Sequence, residues 1–185
     1  DGVQTCALPI LGRLNRDKGL IDLARSFGRV CDKYDNIHLL IVGPDEQGMK
    51  EQMESLCSSC IQKMHFVGYT DVPEKYFAAS DIFCLPSYRE GFGVVVIQAA
   101  SAGIPSIGTR IYGVIDTIED GITGLLYHPG DVDGLASKMI EMIERPDLRK
   151  IMGSNARIRA TKKFSKEIVT EALSDYYKSL LLANV

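Results

Sequence analysis

Residues 82–109 read IFCLPSYREGFGVVVIQAASAGIPSIGT, and the fold turns on whether the middle of this stretch is a strand or a helix. By propensity alone Val94, Val95, Val96 and Ile97 in succession form a buried strand. The flanks argue otherwise. IFCLPS is already an apolar run that stops at Pro86, and PSIGT is the next one. Two parallel strands need a crossover of about a dozen residues between them, usually a helix. Residues 93–103 are therefore expected to be helical, with Gly91 and Gly93 bracketing the N-terminus.

The same alternation continues on both sides. Further apolar runs at 37–42, 64–67 and 124–127 join those at 82–85 and 106–108 as candidate strands. Between them GLIDLARSFGRVCDKY sets Leu20, Leu23, Ala24, Phe27, Val30 and Cys31 on one helical face. MKEQMESLCSSCIQK and VPEKYFAASD read as further crossover helices. After Asp131 only helical patterns follow: DVDGLASKMIEMIE, PDLRKIMGSNARIRATKK and SKEIVTEALSDYYKSLL. The expected fold class is α/β: a Rossmann-like, doubly wound parallel sheet of about six strands with a helical C-terminal tail.

The first ten residues, DGVQTCALPI, lack a clear period where a first strand should carry β-branched residues. GVQTCALPI resembles the peptide obtained by translating through a common sequencing-library adapter. Residues 1–10 are expected to be a non-native or irregular N-terminal segment, and residues 11–185 the domain itself.

The 185 residues suit one domain, and 45% hydrophobic with 24% charged side chains can build a core. With 21 basic and 24 acidic groups the formal charge is -3, so no footprint for nucleic acid or anionic lipid exists and a bound anion needs a local site. No apolar run approaches a membrane span and no leader is recognisable, so a cytoplasmic domain is expected. The 5 cysteines are odd in number, and the C-x-x-C at Cys57 and Cys60 has no second pair; free thiols fit better than a disulfide framework or zinc site.

Two segments can carry chemistry. In SYREGFG, glycines at a helix start let backbone N–H groups approach an anion, although a tight turn would need them equally. In GRLNRDKG (12–19), Arg13, Arg16 and Lys18 crowd a strand-to-helix turn, although most such clusters are solvated loops. In an open α/β sheet both turns can face one crevice at the carboxyl ends of the strands. Neither a G-x-G-x-x-G dinucleotide turn nor a Walker sequence occurs. Asp131-Val132-Asp133 imitates a D-x-D metal motif, but Asp131 follows Pro129-Gly130 and opens a helix, which makes it an N-cap; no metal is expected. His38, His65 and His128 have no ligand spacing.

GRLNRDKG, HLLIVGPDEQG, the run from His65 to Thr109 and DGITGLLYHPGDVDGLA, in this order, resemble the C-terminal domain of the family 4 (group 1) retaining glycosyltransferases of the GT-B fold, over essentially Leu11 to the C-terminus. The resemblance implies that Arg13 and Lys18, beside Gly12, neutralise the diphosphate of a nucleotide-sugar donor. It gives Glu90 the donor sugar, and Gly91, Phe92 and Gly93 the backbone contacts to sugar or phosphate. Gly68 and Tyr69 fall where the base is met. Gln98 stands where the family has a second glutamate, which accepts the ribose hydroxyls. An amide keeps one acceptor and loses the charge, so it either weakens donor binding or is a tolerated substitute.

The implied reaction is metal-independent and cofactor-free transfer of a sugar to an acceptor hydroxyl with retention. The acceptor, a sugar or lipid-linked saccharide, would bind an N-terminal domain that these residues do not supply, so the chain alone should bind donor and turn over little. Bacterial surface polysaccharide assembly at the inner face of the membrane, with peripheral association of the full-length protein, is the implied setting. The alternative is a non-catalytic nucleotide-sugar-binding module. A receiver-like signalling domain lacks the acidic cluster it would need.

Overall fold

The computed structural model describes residues 6–183. Its strands are β1 (Cys6–Leu11), β2 (Ile37–Val42), β3 (Met64–Gly68), β4 (Phe83–Leu85), β5 (Ser106–Thr109) and β6 (Gly124–Tyr127). Its helices are α1 (Leu20–Cys31), α2 (Met49–Leu56), α3 (Glu74–Ala78), α4 (Val94–Ser101), α5 (Val132–Glu144), α6 (Pro146–Phe164) and α7 (Lys166–Ala183). The valine run is helical, as the crossover argument requires: α4 starts at Gly93, whose φ of 59° suits glycine.

The strands form two three-stranded parallel sheets, β1-β2-β3 and β4-β5-β6, where one sheet of about six strands was expected. The break has a chemical cause. Cys6 and Gly12 donate to Asn36 and Val42 on the β2 side, so Ala7, Pro9 and Leu11 face β4. The Ala7 carbonyl accepts the Asp81 N–H at 2.9 Å, and the Ala7 N–H donates to the Asp81 carboxylate at 2.9 Å. Pro9, next in line, has no N–H and the ladder stops. Strand order across this junction is β3-β2-β1-β4-β5-β6, which puts the switch of winding direction between β1 and β4.

Expectations for the N-terminus change accordingly. Residues 1–5 lie outside the described residues. Cys6–Leu11 is not irregular: it pairs in register with β2 from Cys6 opposite Ile37 to Leu11 opposite Val42, and Cys6, Leu8 and Ile10 are buried. Burial against a central neighbour outweighs the lack of β-branched residues, and a boundary after residue 10 would cut this strand.

Alternation along β4 shows both faces covered. Phe83 and Leu85 join the cluster under α3 and α4, with Phe77, Val96 and Ala99, whereas Cys84 joins the larger core beneath α1, α2 and α5. The expected helix at 49–63 breaks at Cys57 (φ -133°), and a 3-10 turn, Ser58–Lys63, follows α2. This turn sets the Cα atoms of Cys57 and Cys60 5.5 Å apart and joins them in a disulfide, where free thiols were expected. Cys6, Cys31 and Cys84 are free.

Candidate active site

The loop after β1 and the loop after β4 meet at the switch point, and local chemistry fixes each. Leu14 is buried and donates its N–H to Pro44 at 2.8 Å, which ties the first loop to the end of β2. Arg16–Lys18 forms one 3-10 turn, closed by Gly19 in the left-handed region. A Cβ on Gly19 would lie 2.0 Å from the Pro86 carbonyl oxygen, so only glycine allows α1 to start so close to the second loop.

Tyr88 then clamps the second loop. Its N–H donates to the Asp17 carbonyl at 2.7 Å, and its hydroxyl donates to the carboxylate of Asp22, a buried residue of α1. That bond to Asp22, reinforced by burial, raises the phenol above its ordinary pKa. Behind the loop, a Cβ on Gly113 would come 2.5 Å from the carbonyl oxygens of both Glu90 and Gly91, and its φ is 83°.

The outcome is an ion pair: Lys18 Nζ lies 2.6 Å from Glu90 Oε2, and each side chain is only 18% exposed. Both line a cleft of about 470 Å³ with Arg13, Asn15, Asp17, Arg89 and Gly91. Arg13 is 71% exposed, in a loose 3.7 Å surface pair with Glu46. Asn15 Oδ1 is buried without a hydrogen-bond partner among the described residues. Gly12 sits behind Lys18, where a Cβ would be 3.4 Å from its Cε.

The remaining expected site residues, Gly68, Tyr69, Phe92, Gly93 and Gln98, are not among those that line this cleft. Gly93 is buried at the start of α4. Phe92 turns its ring onto Phe164 at the end of α6, 5.8 Å between centroids. The Gly68 carbonyl accepts the Gly43 N–H at 2.8 Å, and Tyr69 is 78% exposed. Gln98 does not line the Lys18–Glu90 cleft; it faces a second cavity between α3 and α4. Sequence reasoning missed Tyr88, Asp22, Asn15, Arg89 and Gly113, because their roles depend on contacts between distant loops. Only Arg89, adjacent to Glu90, carried a local signal.

Asp131 caps α5 by accepting the Gly134 N–H at 2.8 Å, and Asp133 pairs with Arg29. His38 Nδ1 and His65 Nε2 lie 3.0 Å apart on adjacent strands; burial and the neighbouring ring lower the His38 pKa. Among the described residues no three His, Cys, Asp or Glu side chains gather as metal ligands, and no helix is long and apolar enough to cross a membrane.

Residues 7–159 match the family model described as glycosyl transferases group 1. The chain is 32% identical over 172 residues to the capsular polysaccharide biosynthesis glycosyltransferase CapM of Staphylococcus aureus, covering 92% of this chain and 45% of CapM. Its fold superposes on sucrose-phosphate synthase from Thermosynechococcus elongatus with a TM-score of 0.87 and 27% identity, covering 98% of this chain and 47% of that one. Anabaena Alr3699/HepE, solved in complex with UDP and glucose, superposes with a TM-score of 0.84 at 22% identity, covering 96% of this chain and 49% of that one. The chain spans about half the length of the curated relatives it matches.

Proposed function

Because the chain belongs to the group 1 glycosyl transferases and has the fold of a C-terminal GT-B domain, we propose that the cleft at the β1/β4 switch point binds the diphosphate and sugar of a nucleotide-sugar donor. The observation that carries this reading is the Lys18–Glu90 pair. Lys18 has three N–H donors and Glu90 two acceptor oxygens. Lys18 can therefore hold Glu90 Oε2 and still donate to a phosphate oxygen, while Glu90 Oε1 accepts a sugar hydroxyl. One pair thus grips the two sides of the bond to be broken.

Cleavage of that bond loads negative charge onto the departing diphosphate and positive charge onto the sugar ring. In this reading Lys18 and the exposed Arg13 stabilise the leaving group, an effect commonly worth about 3 kcal/mol per well-placed donor. In this reading the reaction needs neither metal nor cofactor, and the acceptor hydroxyl attacks with retention. The acceptor is a sugar or lipid-linked saccharide held by the other half of the full-length protein, and this chain alone turns over little. Likeness to CapM favours surface polysaccharide assembly; the cytoplasmic face of a membrane is the setting this reading adds.

Calorimetry with UDP, GDP and ADP tests the reading. Lys18→Ala should weaken the best-bound diphosphate by about 1.5 to 3 kcal/mol and leave its nucleoside unaffected, and chelator should change neither. Equal losses for nucleoside and diphosphate would refute the assignment. Binding without sugar transfer in the full-length protein would favour the non-catalytic module, the reading that Gln98 supports.

A further inference from the structure

Arg159, near the end of α6, is charged, yet its side chain is only 14% exposed. Hydrogen bonding does not account for its place. Nη2 donates to the Asp116 carbonyl at 2.8 Å, but Nε and Nη1 are buried without a hydrogen-bond partner among the described residues, and the ion pair with Glu119 is loose, at 3.8 Å. Burying donors unsatisfied costs stability. What the guanidinium does cover is a ring: Cζ lies over Phe164, 5.2 Å from the centroid, a cation–π contact. The Phe164 ring in turn meets Phe92 edge-on at 5.8 Å, and Phe92 is two residues from Glu90.

A second route runs from Arg159 to the same loop. Asp116 belongs to the segment 110–123 that joins β5 to β6, and Asn155, one helical turn before Arg159, donates to the Ile122 carbonyl of that segment at 3.2 Å. Thr117, next to Asp116, is buried, and its Oγ1 would lie 3.3 Å from a Cβ on Gly93; Gly113 of the same segment backs onto the Glu90 and Gly91 carbonyls. Arg159 therefore reaches the Glu90 loop through the Phe164 ring on one side and through the segment behind it on the other. We propose that Arg159 is a positioning residue for the donor site: it fixes the ring and the segment on which this loop rests, and so sets Glu90 where it holds Lys18. The inference rests on the donor-site reading above. A guanidinium suits the task, because it can lie over a ring and donate from its edge to a carbonyl at the same time.

The test follows whichever of UDP, GDP or ADP binds tightest, by NMR titration on the whole chain so that millimolar affinities are still read. Arg159→Ala should weaken it about fivefold in the otherwise unaltered chain and by less than about twofold in Lys18→Ala, because without Lys18 the place of Glu90 no longer matters to the diphosphate. Phe164→Leu, which keeps an apolar side chain at the helix end but no ring, should show the same pattern and carries the test where Arg159→Ala does not fold. Equal weakening in both backgrounds, or no loss of affinity whatever the melting temperature does, means that Arg159 only stabilises the domain and overturns the proposal. If none of the three diphosphates binds the unaltered chain, or Lys18→Ala binds as tightly as that chain, the donor-site reading fails and this inference with it.

Discussion

Tyr88 is the residue on which the cleft depends most without entering the chemistry. Its two bonds to Asp17 and Asp22 hold the loop that presents Glu90 to Lys18. Tyr88→Phe leaves the buried Asp22 carboxylate short of a donor and should cost about 1 to 3 kcal/mol of stability in urea unfolding. The pH dependence has a definite sign. Folding raises the Tyr88 pKa, so the contribution is complete below the ordinary tyrosine value of about 10 and is lost as pH rises through the folded value. The gap between the unaltered chain and Tyr88→Phe should therefore be constant near neutrality and shrink in alkali. A gap independent of pH up to strong alkali would show that the bond is not what stabilises the loop.

Among the elements, α2 shows how a helix start can be fixed from outside the helix. Its N-terminal flank is Gly48, which has no side chain to cap with. Asp45, three residues earlier, accepts from the N–H groups of Met49 and Lys50 at 2.9 Å each and of Gln47 at 3.2 Å. Desolvation opposes the charge on Asp45, but these backbone bonds prevail and its pKa falls below the usual aspartate value. Asp45→Ala should cost about 1 kcal/mol, as loss of a cap does, with Asp45→Asn between the two. Because the folded pKa is depressed, this stability is present above about pH 3.9 and lost as pH falls through the folded value. Acid titrations that coincide for Asp45→Asn and the unaltered chain would refute the assignment.

At the scale of the whole molecule, the two terminal helices differ. α6 buries Met152, Ala156 and Ala160, and its last residue, Phe164, meets Phe92 of the site loop edge-on. Along α7 the described side chains are exposed, including Ile168, Leu173, Tyr176 and Leu180. Truncation after Ser165 should leave the melting temperature within about 2 °C and diphosphate binding intact. Truncation after Lys163 removes the Phe92 contact and should weaken both. Equal destabilisation by the two truncations would mean that α7 packs on the domain.

The sequence by itself determined the order and type of the elements from β2 onward, except for the break that ends α2 at Leu56. Apolar period, the crossover requirement and glycine at helix starts are local signals, and they sufficed even for α4, where propensity pointed to a strand. They also separated Asp131 as a cap from a metal ligand. Tertiary structure decided the rest, because it brings together residues that no local period relates. Pro9 faces β4 and splits the sheet, a consequence of strand order; Cys6–Leu11 is a strand because β2 pairs with it; and Cys57 meets Cys60 because α2 breaks between them. Lys18 and Glu90, 72 positions apart, become one ion pair only through the approach of Gly19 to Pro86 and the Tyr88 clamp. The same approach of distant segments brings Glu74 and Gln98 into the lining of one cavity. Side chains contributed by separate loops at the carboxyl ends of parallel strands acquire their partners only when the sheet assembles.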